Sequence, residues 1–485
     1  MNTRAEPVII QGGMGVAVSA WQLAKAVSLT GQLGVVSGTG LDTILLRRLQ
    51  MGDPGGHLRR ALAAFPFPEM AQQIVNRYFI PGGKSPDEPF AATQRPSLDP
   101  DRPQLELIVA ANFVEVFLAK EGHGGVVGIN YLEKIQFPTL PSVFGAMLAG
   151  VDYVLMGAGI PQSIPGTLDQ LSQGEAVELP LTVVGAGKGE KFVTRFDPTD
   201  FTGGELLWLE RPKFLAIIAS STLATMLARK ANGRVDGFVV EGPTAGGHNA
   251  PPRGETKLNQ RGEPVYGERD VVRIETIRSL GRPFWLAGSY GSPERVAEAL
   301  GAGATGVQVG TAFAFCDESG LRDDIKQRVI EMSRDDQLDV FTDAVASPTG
   351  FPFKVLRLDE SLSDSSVYES RQRCCDLGSL SQIYRKQDGT VGWRCPADRR
   401  EVYVQKGGDP NDTMGRKCLC NCLLANVGLG QVRRNGVQEM PMVTCGDDVN
   451  IIARFAAASN SAIWSASDVI EYLLSAVDAG HLVGS

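Results

Sequence analysis

Four histidines occur in the chain, His57, His123, His248 and His481, and one of them stands where an imidazole could do acid–base chemistry. His248 closes the run EGPTAGGH, residues 241 to 248, whose small residues leave room beside the ring for a planar partner. A histidine exchanges protons near neutral pH and can act as base or proton donor toward a small substrate. Thr244 and Asn249, close to it in sequence, are candidate substrate contacts. A lone histidine is more often structural. His57 and His481 lack an accompanying motif and read as solvated, and His123 reads as a cap or packing residue.

Two glycine-rich stretches could hold a cofactor against this histidine. QGGMG, residues 11 to 15, lets the backbone approach a ligand closely, so Gly13, Met14 and Gly15 are candidate cofactor contacts, although a plain structural turn explains the run equally well. AGSYGSPERVAEALGAGATGVQVGTAF, residues 287 to 313, places Gly288 and Gly291 ahead of a helix whose first amides are free to bind an anion. Gly310 and Thr311 add amides and a hydroxyl after the following strand, on which Gln308 lies.

A third group is sulfur. Cys374, Cys375, Cys395, Cys418, Cys420 and Cys422 fall within about 50 residues. Four thiolates would bind zinc or an iron–sulfur cluster. The spacings here are adjacent and alternate, however, with no CxxC, and in a strand Cys418, Cys420 and Cys422 would share one face and simply pack. The expectation is no metal, with a metal or cluster as the open alternative.

These groups need a scaffold that delivers loops to one place. Short apolar runs followed by helical segments recur through the first two-thirds of the chain, as expected for parallel strands buried on both faces. Eight strands are predicted, near residues 8–11, 33–37, 126–129, 152–156, 213–218, 235–240, 283–287 and 305–309. A further run, Leu105 to Ala110, could replace the third or lie outside. Helices are predicted at Trp21–Ser28, Thr139–Leu148, Thr222–Lys230 and Glu294–Leu300, the last with Ser292 as N-cap and Pro293 in the first turn. The repeat fits a (β/α)8 TIM barrel, and a doubly wound open sheet shares the local pattern. The glycine motifs at the seventh and eighth strands favour the barrel, where phosphate sites recur.

The expected layout is a barrel over residues 1–320, with an inserted loop region at 52–104, and a C-terminal mixed α extension over 321–485 packed on the barrel. The insertion is either a lid or a surface cover. The extension is expected to end in the helix SASDVIEYLLSAVDAG, capped by Ser465 or Ser467, and could form a homo-oligomer contact. A net charge of −8 offers no general attraction to nucleic acid or anionic lipid, and no run approaches a membrane span. Without a secretory signal pattern, and with cysteines too sparse for a disulfide framework, a cytoplasmic protein is expected.

Taken together, QGGMG, AGGH and GSYGSPERVAEALGAGATGVQVGTAF resemble the nitronate monooxygenase family, formerly 2-nitropropane dioxygenases, over roughly residues 7–315. The resemblance implies an FMN-binding (β/α)8 barrel. Gly13, Met14 and Gly15 would line the flavin, with Gln308 nearby; Gly288, Gly291, Gly310 and Thr311 would hold its phosphate; His248 would be the active-site base or proton donor. The implied reaction oxidises alkyl nitronates, and with a base nitroalkanes, using O2 to give a carbonyl compound and nitrite. The same flavin barrel class includes NAD(P)H-dependent enoyl-acyl-carrier-protein reductases, the main alternative, and a non-catalytic scaffold is a third. Two departures stand out. Thr244 occupies the place where nitronate-oxidising members typically carry a glutamate, and the chain continues to residue 485 although smaller members end near residue 320.

Overall fold

The computed structural model describes residues 5–95, 97–458 and 463–481. Within them, eight strands form one all-parallel sheet: β1 (Ile9–Gln11), β2 (Gly34–Ser37), β3 (Val127–Leu132), β4 (Tyr153–Gly157), β5 (Lys213–Ile218), β6 (Gly237–Glu241), β7 (Phe284–Ala287) and β8 (Gly306–Val309). Each strand pairs with its sequence neighbour, and β8 returns to β1 in the register Gln308 opposite Ile10. The seam between β1 and β2 is made by Leu33, whose amide donates to Ile9 O at 3.1 Å while its carbonyl accepts from Gln11 N at 3.0 Å. The sheet is therefore a nearly closed barrel.

Side-chain alternation explains why these runs became strands. Ile10, Val35, Leu155, Leu215, Val239 and Trp285 fill the barrel interior, while their neighbours Ile9, Val36, Val154, Phe214, Phe238 and Phe284 face the surrounding helices. Trp285 is completely buried and its indole N–H is satisfied by Pro7 O at 2.8 Å.

The surrounding helices follow the expected pattern at Trp21–Leu29, Thr139–Leu148, Ser221–Lys230 and Pro293–Gly301, and the Ser292 hydroxyl accepts from Arg295 N as an N-cap. The Leu105–Ala110 run lies outside the barrel, inside a long helix, Arg102–Lys120, started by Asp101 accepting from Gln104 N at 3.0 Å. This helix is buried on nearly all sides, so it lacks the polar stripe that would have distinguished it from a strand. The insertion contributes two further helices, His57–Ala63 and Pro68–Tyr78.

The last barrel helix comes from the far end of the chain. After β8 and a short helix, Thr311–Ala314, the polypeptide leaves the barrel, and it returns as Ala466–His481 to pack on Pro293–Gly301 and Trp21–Leu29. Ser465 is its cap: its hydroxyl accepts from Asp468 N at 3.2 Å while Asp468 accepts from Ser465 N at 2.7 Å. Residues 321–458 thus form an excursion between the eighth strand and the eighth helix. The excursion is not only helical. It holds two antiparallel pairs, β9 (Val340–Asp343) with β10 (Phe353–Leu356), and Gln382–Arg385 with Val391–Arg394. Cys418 to Cys422 is not a strand either: Cys418 caps the helix Leu419–Asn426, so the three cysteines do not share a face. The side chain of His481 lies outside the described residues.

Candidate active site at the carboxyl end of the barrel

The carboxyl ends of the strands open into a cavity of about 260 Å3. Its floor and sides come from the loops the motifs predicted. Gly13, Met14, Gly15, Gln308, Gly288, Gly291, Gly310, Thr311, Thr244 and His248 all line it. Asn249 does not. It is buried beneath the loop, where its side-chain amide donates to Ala245 O at 2.9 Å and its backbone amide to Pro352 O at 2.9 Å, so it shapes the turn and does not face the cavity.

The glycines are needed for space. A Cβ on Gly13 would lie 2.4 Å from Asn130 Cβ, and one on Gly288, which has φ of +95°, would meet Thr244 Oγ1 at 2.9 Å. Asn130 holds the first turn by donating from Nδ2 to Gly13 O at 3.1 Å. Its Oδ1, like Oε1 of Gln308, is buried with no hydrogen-bond partner. Both residues line the cavity, so two acceptors there await a donor.

The roof is the excursion, which no motif announced. Leu377, Leu380, Leu419, Cys420, Leu423 and the segment around Thr444–Asp448 close the cavity from above. The segment is stitched to the barrel loops. Gly247 N donates to Thr444 Oγ1 at 2.9 Å, Gly446 N to Thr311 Oγ1 at 3.0 Å, and Asp447 N to Thr244 O at 3.0 Å. Buried Lys354 fixes it further, with Nζ 2.7 Å from Asp447 Oδ1 and 2.8 Å from Thr342 Oγ1. The roof also brings Asp448 to the corner of Gly291, where its carboxylate oxygen would lie 3.5 Å from a Cβ on that glycine.

His248 stands at the edge, anchored by Ser347 Oγ 2.7 Å from Nε2 and by the Phe353 ring, met edge-on at 4.9 Å. Burial and the nearby Lys134 ammonium push its pKa down to about 3, so the ring is neutral through the physiological range. Lys134 is itself lowered to about 8 by burial, and its Nζ sits over the Phe351 ring. At the end of β6, Glu241 also lines the cavity, and burial raises its carboxyl to about 7. Sequence reading passed over this residue, although it opens the same motif as His248 and follows the apolar run GFVV. It supplies an acidic group three residues before Thr244. Of the other histidines whose side chains are described, His123 accepts from Gly125 N at 3.1 Å beyond the helix end, and His57 packs on Trp21.

Residues 205–349 match the family model described as nitronate monooxygenase. Two curated relatives are probable nitronate monooxygenases. The one from Bacillus subtilis (strain 168) is 33% identical over 117 residues, covering 24% of this chain and 32% of that protein. The one from Staphylococcus haemolyticus (strain JCSC1435) is 32% identical over 138 residues, covering 28% and 37%. The chain thus spans about a third of the length of the curated relatives it matches. Among solved structures, FabK from Thermotoga maritima aligns over 99% of this chain and 95% of its own, at 18% identity and a TM-score of 0.48. A nitroalkane oxidase from Streptomyces ansochromogenes aligns over 99% and 98%, at 15% identity and a TM-score of 0.43.

Proposed function

We propose that this chain, whose residues 205–349 match the nitronate monooxygenase family model, is an FMN-dependent oxidoreductase that uses O2 to convert alkyl nitronates to a carbonyl compound and nitrite. The cavity suits the cofactor: Gly13, Met14 and Gly15 offer close backbone approach, and the unpartnered oxygens of Asn130 and Gln308 can accept from ring N–H groups. Gly288, Gly291, Gly310 and Thr311 would take the phosphate. Thr311 Oγ1 accepts from Gly446 N, which leaves its hydroxyl hydrogen for a phosphate oxygen. When bound, FMN supplies a ring that accepts electrons and passes them to O2.

The observation that carries the reading is that Glu241, at the end of β6, and His248, on the loop that follows it, line the same cavity. With its conjugate acid near 3, His248 is a poor base toward a neutral nitroalkane, but it can hydrogen-bond a substrate that arrives already deprotonated. Glu241, near 7, carries a proton part of the time and can donate it as a hydrogen bond to a nitronate oxygen. Ionised, it would repel the same anion. The leucines of the roof line the same cavity as both groups. A nitronate is therefore the better substrate, and its nitroalkane the slower one. The test is oxygen uptake and nitrite release by the purified, FMN-loaded protein with an alkyl nitronate and with the matching nitroalkane. Absence of nitrite from both removes the reading.

A proton held on Glu241 at neutral pH also favours a second reaction, hydride addition from NAD(P)H to an enoyl thioester, which needs a proton donor beside the acceptor carbon. Anaerobic mixing separates the two: rapid bleaching of the flavin by NADPH supports the reductase, and bleaching only by nitronate supports the oxidase.

A further inference from the structure

A second, smaller chamber of about 40 Å3 adjoins the active-site cavity where the insertion meets the barrel. Thr39, Thr43, Leu132, Ile135, Leu377 and Ser379 border both spaces. Thr93 and Gln94 of the insertion and Gln104 of the helix Arg102–Lys120 also line it. A water-sized group needs about 10–15 Å3, so the chamber has room for the end of a chain and not for a ring.

The free polar groups of this wall are acceptors. Gln104 is buried, and two carbonyls orient its amide: Nε2 donates to Arg95 O at 3.0 Å and to Gln94 O at 3.4 Å. The other end of that amide is therefore Oε1, which has no hydrogen-bond partner. Asp42, in the first turn of the helix Leu41–Gln50, is the only charged side chain among the described residues that line the chamber. Its carboxyl meets the backbone amides of Asp42 and Thr43, while Arg47 of the same helix donates to Leu429 O at 2.6 Å. Burial raises the Asp42 carboxyl above its ordinary value, an effect that a cation beside it would offset. The amide and phenol donors of the wall are already spent. Tyr131 OH donates to Asn112 Oδ1 at 2.8 Å, Asn112 Nδ2 to Ile108 O at 2.9 Å, and Gln94 Nε2 to Asp101 Oδ2 at 3.2 Å.

We infer that this chamber is a substrate subsite for a protonated amine, so that the preferred nitronates carry an alkylammonium group at their far end. The inference rests on the proposed nitronate chemistry for the head of the substrate and on the chamber alone for its tail. An ammonium brings three donors and a positive charge to a space whose free groups are an amide oxygen and a carboxyl group. A carboxylate tail would be repelled by Asp42, and a methyl tail would leave both acceptors without a partner. The insertion thereby gains a chemical role. Gln94 O and Arg95 O, both within it, fix the Gln104 amide that would select the tail.

The test compares nitrite release by the FMN-loaded protein across primary nitronates of matched length, propyl to hexyl, that end in methyl, hydroxyl, ammonium or carboxylate. At the best length the ammonium is expected to exceed the methyl in kcat/KM by about tenfold or more, with the hydroxyl between them and the carboxylate lowest. In Asp42→Asn and in Gln104→Met that ammonium-to-methyl ratio should fall by about fivefold or more. A wild-type ratio near one at every length, or a preference for the hydroxyl or carboxylate tail, overturns the subsite. The wild-type comparison decides the matter even if the variants fail to fold. If no nitronate releases nitrite, the failure belongs to the proposed reaction, and ligand NMR then reads the subsite by itself. There n-butylammonium should bind more tightly than n-butanol or n-butyrate and lose that advantage in Asp42→Asn, whereas equal binding of all three by the wild type overturns the assignment.

Discussion

Ser347 Oγ lies 2.7 Å from Nε2 of His248, although the two residues are 99 positions apart and belong to different parts of the fold. The serine comes from the excursion and the histidine from the barrel, so the candidate catalytic ring is oriented by a segment outside the strand that carries it. Ser347 also pairs with Thr349 Oγ1 at 2.8 Å. If the serine donates to Nε2, the imidazole proton sits on Nδ1.

Ser347→Ala is expected to lower kcat about tenfold, equivalent to about 1.4 kcal/mol, through loss of ring orientation. The melting temperature should move little, because the serine contributes one hydroxyl to a short network. Steady-state kinetics with a thermal melt distinguish this from simple unfolding, and an unchanged kcat would deny the serine a positioning role.

The Glu241 carboxyl near 7 sets a pH dependence for nitronate turnover. Activity should fall as pH rises through 7, because the ionised carboxylate repels an anionic substrate. In Glu241→Gln that limb should vanish. No limb is expected near 6.5 from His248, which stays neutral there. A wild-type profile flat from pH 6 to 8 would contradict this assignment.

The same two groups act on stability with opposite signs. His248 has its pKa lowered from 6.5 to about 3, so between those values the unfolded state binds more protons and stability drops as pH falls, by up to about 1.4 kcal/mol per unit. Glu241 is raised from 4.5 to about 7, so over that window the folded state binds more protons and stability drops as pH rises. From about 4.5 to 6.5 the two contributions oppose each other. Denaturant titrations of Glu241→Gln should expose the histidine slope, with stability rising more steeply with pH than in the wild type.

Gly13→Ala should destabilise the first turn by about 1–3 kcal/mol, since its Cβ would collide with Asn130 Cβ at 2.4 Å. Asn130→Ala retains that Cβ and should not rescue it, whereas Asn130→Gly should recover part of the loss. Chemical denaturation of the single and double variants gives the comparison.

Asp448 places a carboxylate beside Gly291, where the FMN phosphate is proposed to bind. Asp448→Asn is expected to tighten FMN several-fold, about 0.5–1 kcal/mol, with the gain shrinking at high salt. Quenching of flavin fluorescence measures it; equal affinities at low salt would place the phosphate elsewhere.

The barrel was legible in the sequence because parallel strands buried on both faces leave short apolar runs such as GVVS and KFLAII, and all eight were located to within a few residues. The glycine motifs led to the cavity because close backbone approach requires glycine at those positions. Glu241 was missed although its signal was present: a carboxylate ending an apolar strand is a buried acid, and it stood in plain view three residues from Thr244. The alternate cysteines would share one face only in a strand; with Cys418 as N-cap they enter the helix Leu419–Asn426 instead. The roof had no readable sign. Leu377, Leu423 and Thr444 meet the barrel through contacts that span tens to hundreds of residues, which local pattern does not encode.

The return of the chain at Ala466–His481 also bears on the order of events during synthesis. Folding proceeds as the polypeptide emerges, N-terminal parts first. All eight strands are made by residue 309, yet the helix that packs on both the first and the seventh barrel helices is translated only after the excursion. The growing chain must therefore carry an incompletely jacketed barrel, with its excursion already made, until residues 466–481 leave the ribosome.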